Sequence, residues 1–216
     1  KKWTPEMAYV LGFFTADGNM IRNKRGAHFI SIEITDKDIL EKMKEVMGVG
    51  HKLSLRPRKS KTHKDSYRLQ IGSKEMFNDL LQLGLTPAKS KTIALPAIPD
   101  QYFPEFLRGY FDGDGCIIYG SYPRKDRSST KFILASHFTS GSRVFLDSLL
   151  KKLRELINTE TGFIHKKNSG FDLTLSINDS KRLFDLMYRN LGNGLFLERK
   201  FDKFKEGIRL SNNMRA

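Results

Sequence analysis

"VLGFFTADG" (Val10–Gly18) and "LRGYFDGDG" (Leu107–Gly115) are two apolar runs that each end in aspartate and glycine. Read as helices, both close on an acid that faces the negative end of the helix dipole, which costs roughly 0.3–1 kcal/mol at an exposed site. The chain makes this unfavourable choice twice, so the two acids are best explained together.

Gly12 and Ala16 are four residues apart, as are Gly109 and Gly113. Positions i and i+4 share a helix face. A face of small residues lets two backbones approach closely, for a steric reason that holds in any solvent. If the two helices pack face to face about a pseudo-two-fold axis, Asp17 and Asp114 meet at one end. Their mutual repulsion, and the repulsion of each by its helix terminus, is relieved by a hard divalent cation. The carboxylates of Asp17 and Asp114 and the carbonyls of Ala16 and Gly113 are the oxygen ligands that Mg²⁺ prefers. Such a metal acidifies bound water and steadies the attacking and leaving oxygens of a phosphodiester. The plainer alternative is that each Asp-Gly merely turns the chain. A calcium-binding EF-hand loop fails: counted from Asp112, the sixth position is Ile117 where glycine is required, and the twelfth is Pro123 where glutamate is required.

The rest of the chain repeats around these stretches. Each apolar helix has a proline near its start, Pro5 and Pro104, where the missing N–H is harmless. Gly18 and Gly115 read as stop signals. Alternating strands follow, "HFISIEIT" with Ile30, Ile32 and Ile34 on one side, and "KFILASHFT" with Phe132, Leu134 and Phe138 on one side. Helical patterns come next, "KDILEKMKEVM" and "SRVFLDSLLKKLREL". Then come the strands "HKLSLRPR" and "SYRLQIG", matched by "GFIHKK" and "FDLTLSI", and closing helices "KEMFNDLLQLG" and "SKRLFDLMYRNLG". Each half is read as α-β-β-α-β-β-α, an α+β fold with antiparallel sheets. The proline-containing segment Thr86–Gln101 reads as the linker, giving halves 1–100 and 101–216.

Alternation separates the strand faces. Leu53 and Leu55 oppose Lys52, Ser54, Arg56 and Arg58; Tyr67, Leu69 and Ile71 oppose Ser66, Arg68 and Gln70; Leu173, Leu175 and Ile177 oppose Asp172, Thr174 and Ser176. Each half thus offers an apolar sheet face and a polar one whose side-chain types read base edges and phosphates. Basic loops at Ile21–Gly26, Arg56–Lys64 and Tyr122–Arg127 add to it. The expected nucleic-acid contacts are Arg22, Lys24, Lys52, Arg56, Arg58, Arg68, Gln70, Arg124, Lys131, Lys166, Asp172 and Thr174.

Composition narrows the class. The 216 residues carry 38 Lys and Arg against 24 Asp and Glu, a net charge of +14, which favours a polyanionic partner, above all nucleic acid. With 39% hydrophobic residues the chain can build a core. The lone cysteine, Cys116, rules out an internal disulfide and zinc sites built on cysteine pairs, and points to an intracellular setting. The five histidines form no i, i+4 pair. No apolar run approaches the ~20 residues that span a bilayer, and "KKWTPEM" has no signal-peptide core.

"VLGFFTADG" and "LRGYFDGDG" resemble the two copies of the LAGLIDADG motif of the homing endonucleases, and the resemblance extends over nearly the whole chain. It implies the single-chain form: two pseudo-symmetric α-β-β-α-β-β-α halves making a saddle of antiparallel sheets over DNA, with the motif helices paired at the interface. It implies metal binding by the penultimate acid of each motif, Asp17 and Asp114. Asp112 stands at the sixth motif position, where the first copy has Thr15, and that position is not an essential ligand in the family. The family's basic residue near each active site matches Lys89 and Lys200 best, with Lys91 and Lys203 as close rivals. Lys37 is a further candidate, with Gly141 at the matching place in the second half. Neither end of the chain carries the residues of an intein, so an intron-encoded or free-standing nuclease is expected.

The expected activity is site-specific, Mg²⁺-dependent hydrolysis of both DNA strands at two centres by a monomer, with Mn²⁺ or Ca²⁺ able to stand in for binding. It should leave short 3′ overhangs. Because the halves differ in sequence the target should be asymmetric, and a ~70 Å saddle at about 3.4 Å per base pair covers on the order of 20 base pairs. Two alternatives use the same fold: an intron-RNA splicing maturase and a non-catalytic DNA-binding regulator.

Overall fold

In the computed structural model, residues 2–58, 64–123, 129–192 and 194–214 are described. Two helices form the centre. The first, α1 (Pro5–Asp17), starts where the Thr4 hydroxyl accepts from the Met7 N–H at 3.2 Å. Residues Ala8 to Thr15 are buried without interruption, so this helix is surrounded on all sides. Its counterpart α4 (Phe103–Asp114) is buried continuously from Phe106 to Asp112.

The glycines set how closely the two helices approach. A Cβ on Gly12 would lie 1.9 Å from the Phe106 carbonyl oxygen, and one on Gly109 would lie 2.0 Å from the Tyr9 carbonyl oxygen. Nothing but hydrogen fits at either place.

Each half carries a four-stranded antiparallel sheet of one topology. In the first, β1 (Gly18–Arg22), β2 (His28–Ile34), β3 (Ser54–Arg56) and β4 (Ser66–Gly72) lie in the order β1-β2-β4-β3. In the second, β5 (Gly115–Pro123), β6 (Thr130–Ser140), β7 (Phe163–Lys167) and β8 (Gly170–Leu175) lie in the order β5-β6-β8-β7. Register matches too: Gly18 faces Ile32 and Ile32 faces Leu69, while Gly115 faces Phe138 and Phe138 faces Leu173.

Helices cover the inner face of each sheet. α2 (Lys37–Val46) buries Ile39, Leu40 and Met43, and α3 (Lys74–Gln82) buries Phe77. On the other half α5 (Arg143–Leu156) buries Phe145, Leu146, Leu149, Leu150 and Leu153, alongside α6 (Ile177–Tyr188). The pseudo-symmetric α+β architecture is as expected, with the motif helices paired.

Several details differ from the sequence reading. Gly18 and Gly115 do not turn the chain; both are extended (φ −74° and −84°), and each motif helix runs directly into a strand. The N-terminal part of the basic stretch Ile21–Gly26 therefore belongs to β1. Leu55 shares its strand face with buried residues but is 53% exposed, because β3 is a three-residue edge strand that extends past the core. Ile177 begins α6 and does not continue a strand. The Thr86–Gln101 segment contains one short 3₁₀ turn, Lys89–Lys91, runs into a second, Asp100–Tyr102, and buries Lys89 and Ile93. An additional helix, α7 (Glu198–Asn213), closes the second half; Phe204 packs on Phe111, and Gly207 lies against Tyr119 and Leu134.

Candidate active site and nucleic-acid interface

The paired helices bring Asp17 and Asp114 together. A Cβ on Gly113 would meet the Ala16 methyl at 2.4 Å and stand 3.3 Å from Asp17 Oδ2, so the Asp17 carboxylate lies over the last turn of α4. Burial in this crevice pushes the Asp17 carboxyl up, against the pull of Lys200 and Lys89. Burial together with the Asp17 charge pushes Asp114 up to about 6. Asp17 still reaches solvent, whereas Asp114 is half-buried.

Two buried lysines flank the acids. Lys89 Nζ donates to the Gly18 carbonyl at 2.6 Å and sits 5.6 Å from the centre of the Phe14 ring. Lys200 Nζ donates to the carbonyls of Phe111 (2.8 Å), Gly113 (3.0 Å) and Gly115 (2.7 Å) and sits 5.8 Å from the centre of the Phe111 ring. Each cation thus caps the negative end of one motif helix. Burial lowers both amines, Lys200 to about 8, while the nearby acids oppose the shift. Lys91, Lys203 and Lys37 are exposed, and Lys37 lies over the Tyr67 ring.

Each lysine segment is pinned by the other half. The Ser142 hydroxyl at the start of α5 donates to the Ile93 carbonyl at 2.6 Å, and a Cβ on Gly141 would stand 2.3 Å from the Ser90 carbonyl oxygen. In return, Arg199 Nε donates to both oxygens of Asp36, at the start of α2, at 3.0 Å. This cross-bracing was invisible in the sequence because it joins residues far apart in the chain.

Among the described residues, no three His, Cys, Asp or Glu side chains gather so as to hold a metal. The oxygen set at the helix ends still fits a hard divalent cation: two crowded carboxylates, one with its pKa raised to about 6 by burial and by the other's charge, beside backbone carbonyls. The Gly113 carbonyl is already engaged by Lys200.

The register defines the open sheet faces. In the first sheet Asn19, Ser31 and Gln70 align, as do Glu33, Arg68 and Ser54. Glu33, between Ile32 and Ile34, is the centre of a network that the sequence reading passed over. It accepts from Ser66 (2.6 Å), Arg68 (2.7 and 3.0 Å) and Arg58 (3.2 Å). The Ser66 hydrogen bond and the two guanidiniums hold its carboxyl below the usual range. Arg56 ends β3 opposite Ser66, Lys52 is exposed just before that strand, and Gln70 is exposed. Arg22 ends β1 opposite His28, in line with buried Met20, and Lys24 is exposed in the following turn.

In the second sheet the central charge is reversed. Asp172 and Thr174 are buried at 2% and 8% exposure. Asp172 accepts from Thr139 at 2.8 Å and pairs with Lys167; burial raises its carboxyl, but these partners outweigh that and lower it. Thr174 Oγ1 and His137 Nδ1 are 3.0 Å apart. Lys131 is exposed opposite Tyr122. Lys166 pairs with Phe171 on the core side of the sheet, and His165 pairs with Asp172 on the open side. The register thus turns Lys166 away from the other expected contacts. Arg124 lies outside the described residues, as do parts of the Arg56–Lys64 and Tyr122–Arg127 loops.

Residues 4–83 match the family model of the LAGLIDADG-like domain. The whole chain superposes on I-SmaMI, a meganuclease bound to uncleavable DNA, with a TM-score of 0.66 over 100% of this chain and 92% of that one, at 15% identity. The chain has the LAGLIDADG fold. A second such structure, the LAGLIDADG homing endonuclease I-LtrWI bound to target DNA, gives a TM-score of 0.66 over 98% of this chain and 91% of that one, at 14% identity. In sequence, an uncharacterised protein of Methanocaldococcus jannaschii, MJ0398, is 26% identical over 116 residues. That match covers 53% of this chain and 40% of the relative, so the chain spans well under half the length of the curated relative it matches. No helix among the described residues is long and apolar enough to cross a membrane.

Proposed function

We propose that this LAGLIDADG chain is a site-specific double-strand DNA endonuclease, acting as a monomer whose halves meet near residue 100. One observation carries the reading. The two motif acids, Asp17 and Asp114, are crowded at one end of the helix pair, and a buried lysine caps each helix there.

Asp17 and Asp114, with the carbonyls of Ala16 and Gly113, would hold divalent metal, Mg²⁺ by preference. Bound metal supplies acidified water and charge stabilisation for phosphodiester hydrolysis. The chain's own residues supply position and field. Gly12 and Gly109 fix the helix separation and with it the spacing of the two carboxylates. Lys89 and Lys200 place positive charge beside the acids in a partly dry crevice, where it counts for more than in water. The open faces of the two sheets, with Arg56, Arg68 and Gln70 on one and Lys131 on the other, would read a long asymmetric duplex, while buried Asp172 and Thr174 would act by holding Lys167 and His137. Short 3′ overhangs follow if the two centres cut across the minor groove.

Selection of cleaved molecules from a randomised duplex library, with Mg²⁺, tests the reading. A single asymmetric sequence cut in both strands is expected; binding without cleavage at any site would reduce the protein to a DNA-binding regulator.

A further inference from the structure

We infer that Asp112 is a positioning residue for the α4-side centre: its carboxylate fastens the start of α7 to both motif helices and so holds Lys200 on the carbonyls of Gly113 and Gly115. This rests on the endonuclease reading only where cleavage is the readout.

The contacts are specific. Asp112 Oδ2 accepts from the Leu197 N–H at 2.8 Å and from the Tyr9 hydroxyl at 2.8 Å. Leu197 is the residue that caps α7, and its carbonyl accepts from the Lys200 N–H at 3.0 Å. The anchored residue and the lysine are thus three positions apart, one helical turn. One turn earlier on α4, buried Arg108 donates to the carbonyls of Leu195 and Met187, tying down the chain that leads into α7. Asp112 is 1% exposed, and its other oxygen is buried with no hydrogen-bond partner. A carboxylate left half-satisfied in the core is costly, so its retention calls for a task.

The α1-side centre lacks this device. Thr15 stands at the matching place, and its hydroxyl returns to the Leu11 carbonyl of its own helix. Among the described residues Lys89 makes one carbonyl hydrogen bond where Lys200 makes three. Three bonds exhaust the donors of an ammonium. Lys200 therefore acts at its centre as a fixed charge, while Lys89 keeps N–H groups free for a phosphate or a water. The two centres are chemically unequal and depend on different residues.

The test uses Asp112→Ala, Asp112→Asn and Thr15→Ala in the full chain. Reactivity of individual lysines toward an acylating reagent is read by mass spectrometry, and nicking of each DNA strand is followed separately. In Asp112→Ala, Lys200 should become at least about tenfold more reactive through local opening, with Lys89 unchanged. One strand should be cut more slowly, on the order of 100-fold for a displacement of ~1 Å, with the other strand cut normally. Asparagine keeps an acceptor for Leu197 and Tyr9 and should restore both readouts; Thr15→Ala should leave them as they are. Equal exposure of Lys89 and Lys200 in Asp112→Ala, no change at Lys200, or an Asp112→Asn protein as defective as Asp112→Ala would overturn the inference. If the wild type cuts neither strand, the endonuclease reading fails, and lysine reactivity still decides the role of Asp112.

Discussion

Gly12 and Gly109 occupy equivalent places on the two motif helices, each with its α-hydrogens against the other helix's backbone, so that a methyl on either would stand 1.9–2.0 Å from a carbonyl oxygen. Because the opposing atoms are backbone, they cannot swing aside. Gly12→Ala or Gly109→Ala should therefore destabilise the fold by at least the ~1–3 kcal/mol typical of overpacking. Chemical denaturation measures this, and a variant as stable as the wild type would show that the helices do not pack as described.

Asp114 makes a pH prediction for the metal-free protein. Its carboxyl rises from 3.8 in the free residue to about 6 when folded. The folded state therefore binds the proton more tightly, and the stability this gives is complete below about pH 4 and lost as the pH rises through 6. A shift of this size corresponds to about 2–3 kcal/mol. With chelator present, Asp114→Asn should be more stable than the wild type at pH 7.5, with the gain vanishing towards pH 4. Added Mg²⁺ should narrow the gap by stabilising the wild type. Parallel melting curves at both pH values would argue against a strained acid pair.

The lysines should differ in structural weight. Lys200→Met leaves three helix-end carbonyls without their cation, and Lys89→Met leaves one. Unsatisfied buried acceptors cost about 1–3 kcal/mol each, so the Lys200 variant should unfold at clearly lower denaturant. Equal losses would mean that the three-carbonyl cap contributes nothing.

The motif pair was legible because small residues four apart and an acid at a helix end are local patterns. Lys89 and Lys200 could be named, but Lys91 and Lys203 stood as rivals because burial alone separates each pair. α7 was missed: Gly207 in its interior weakens the helical propensity of the stretch, and its close approach to Tyr119 and Leu134 is a tertiary contact. β1 and β5 were counted in the α-β-β-α-β-β-α pattern but not located, because each begins at the glycine that looks like a stop. The charge reversal between the two sheets needed the register, since Glu33 meets Arg68 only when β2 and β4 are aligned.

Glu33 yields a prediction about the interface. It holds Arg68 and Arg58 on the open face and offsets part of their charge. Glu33→Gln should raise low-salt affinity for random-sequence duplex DNA, steepen the salt dependence, and leave high-salt affinity little changed. Fluorescence anisotropy across a salt series measures this. Weaker binding at every salt concentration would mean that Glu33 serves only to hold the arginines in place.

The two-centre mechanism depends most directly on Asp17 and Asp114. Purified Asp17→Asn and Asp114→Asn proteins should bind the selected target DNA about as tightly as the wild type, and neither should produce double-strand breaks with Mg²⁺. Double-strand cleavage by either variant at the wild-type rate would contradict the two-centre mechanism.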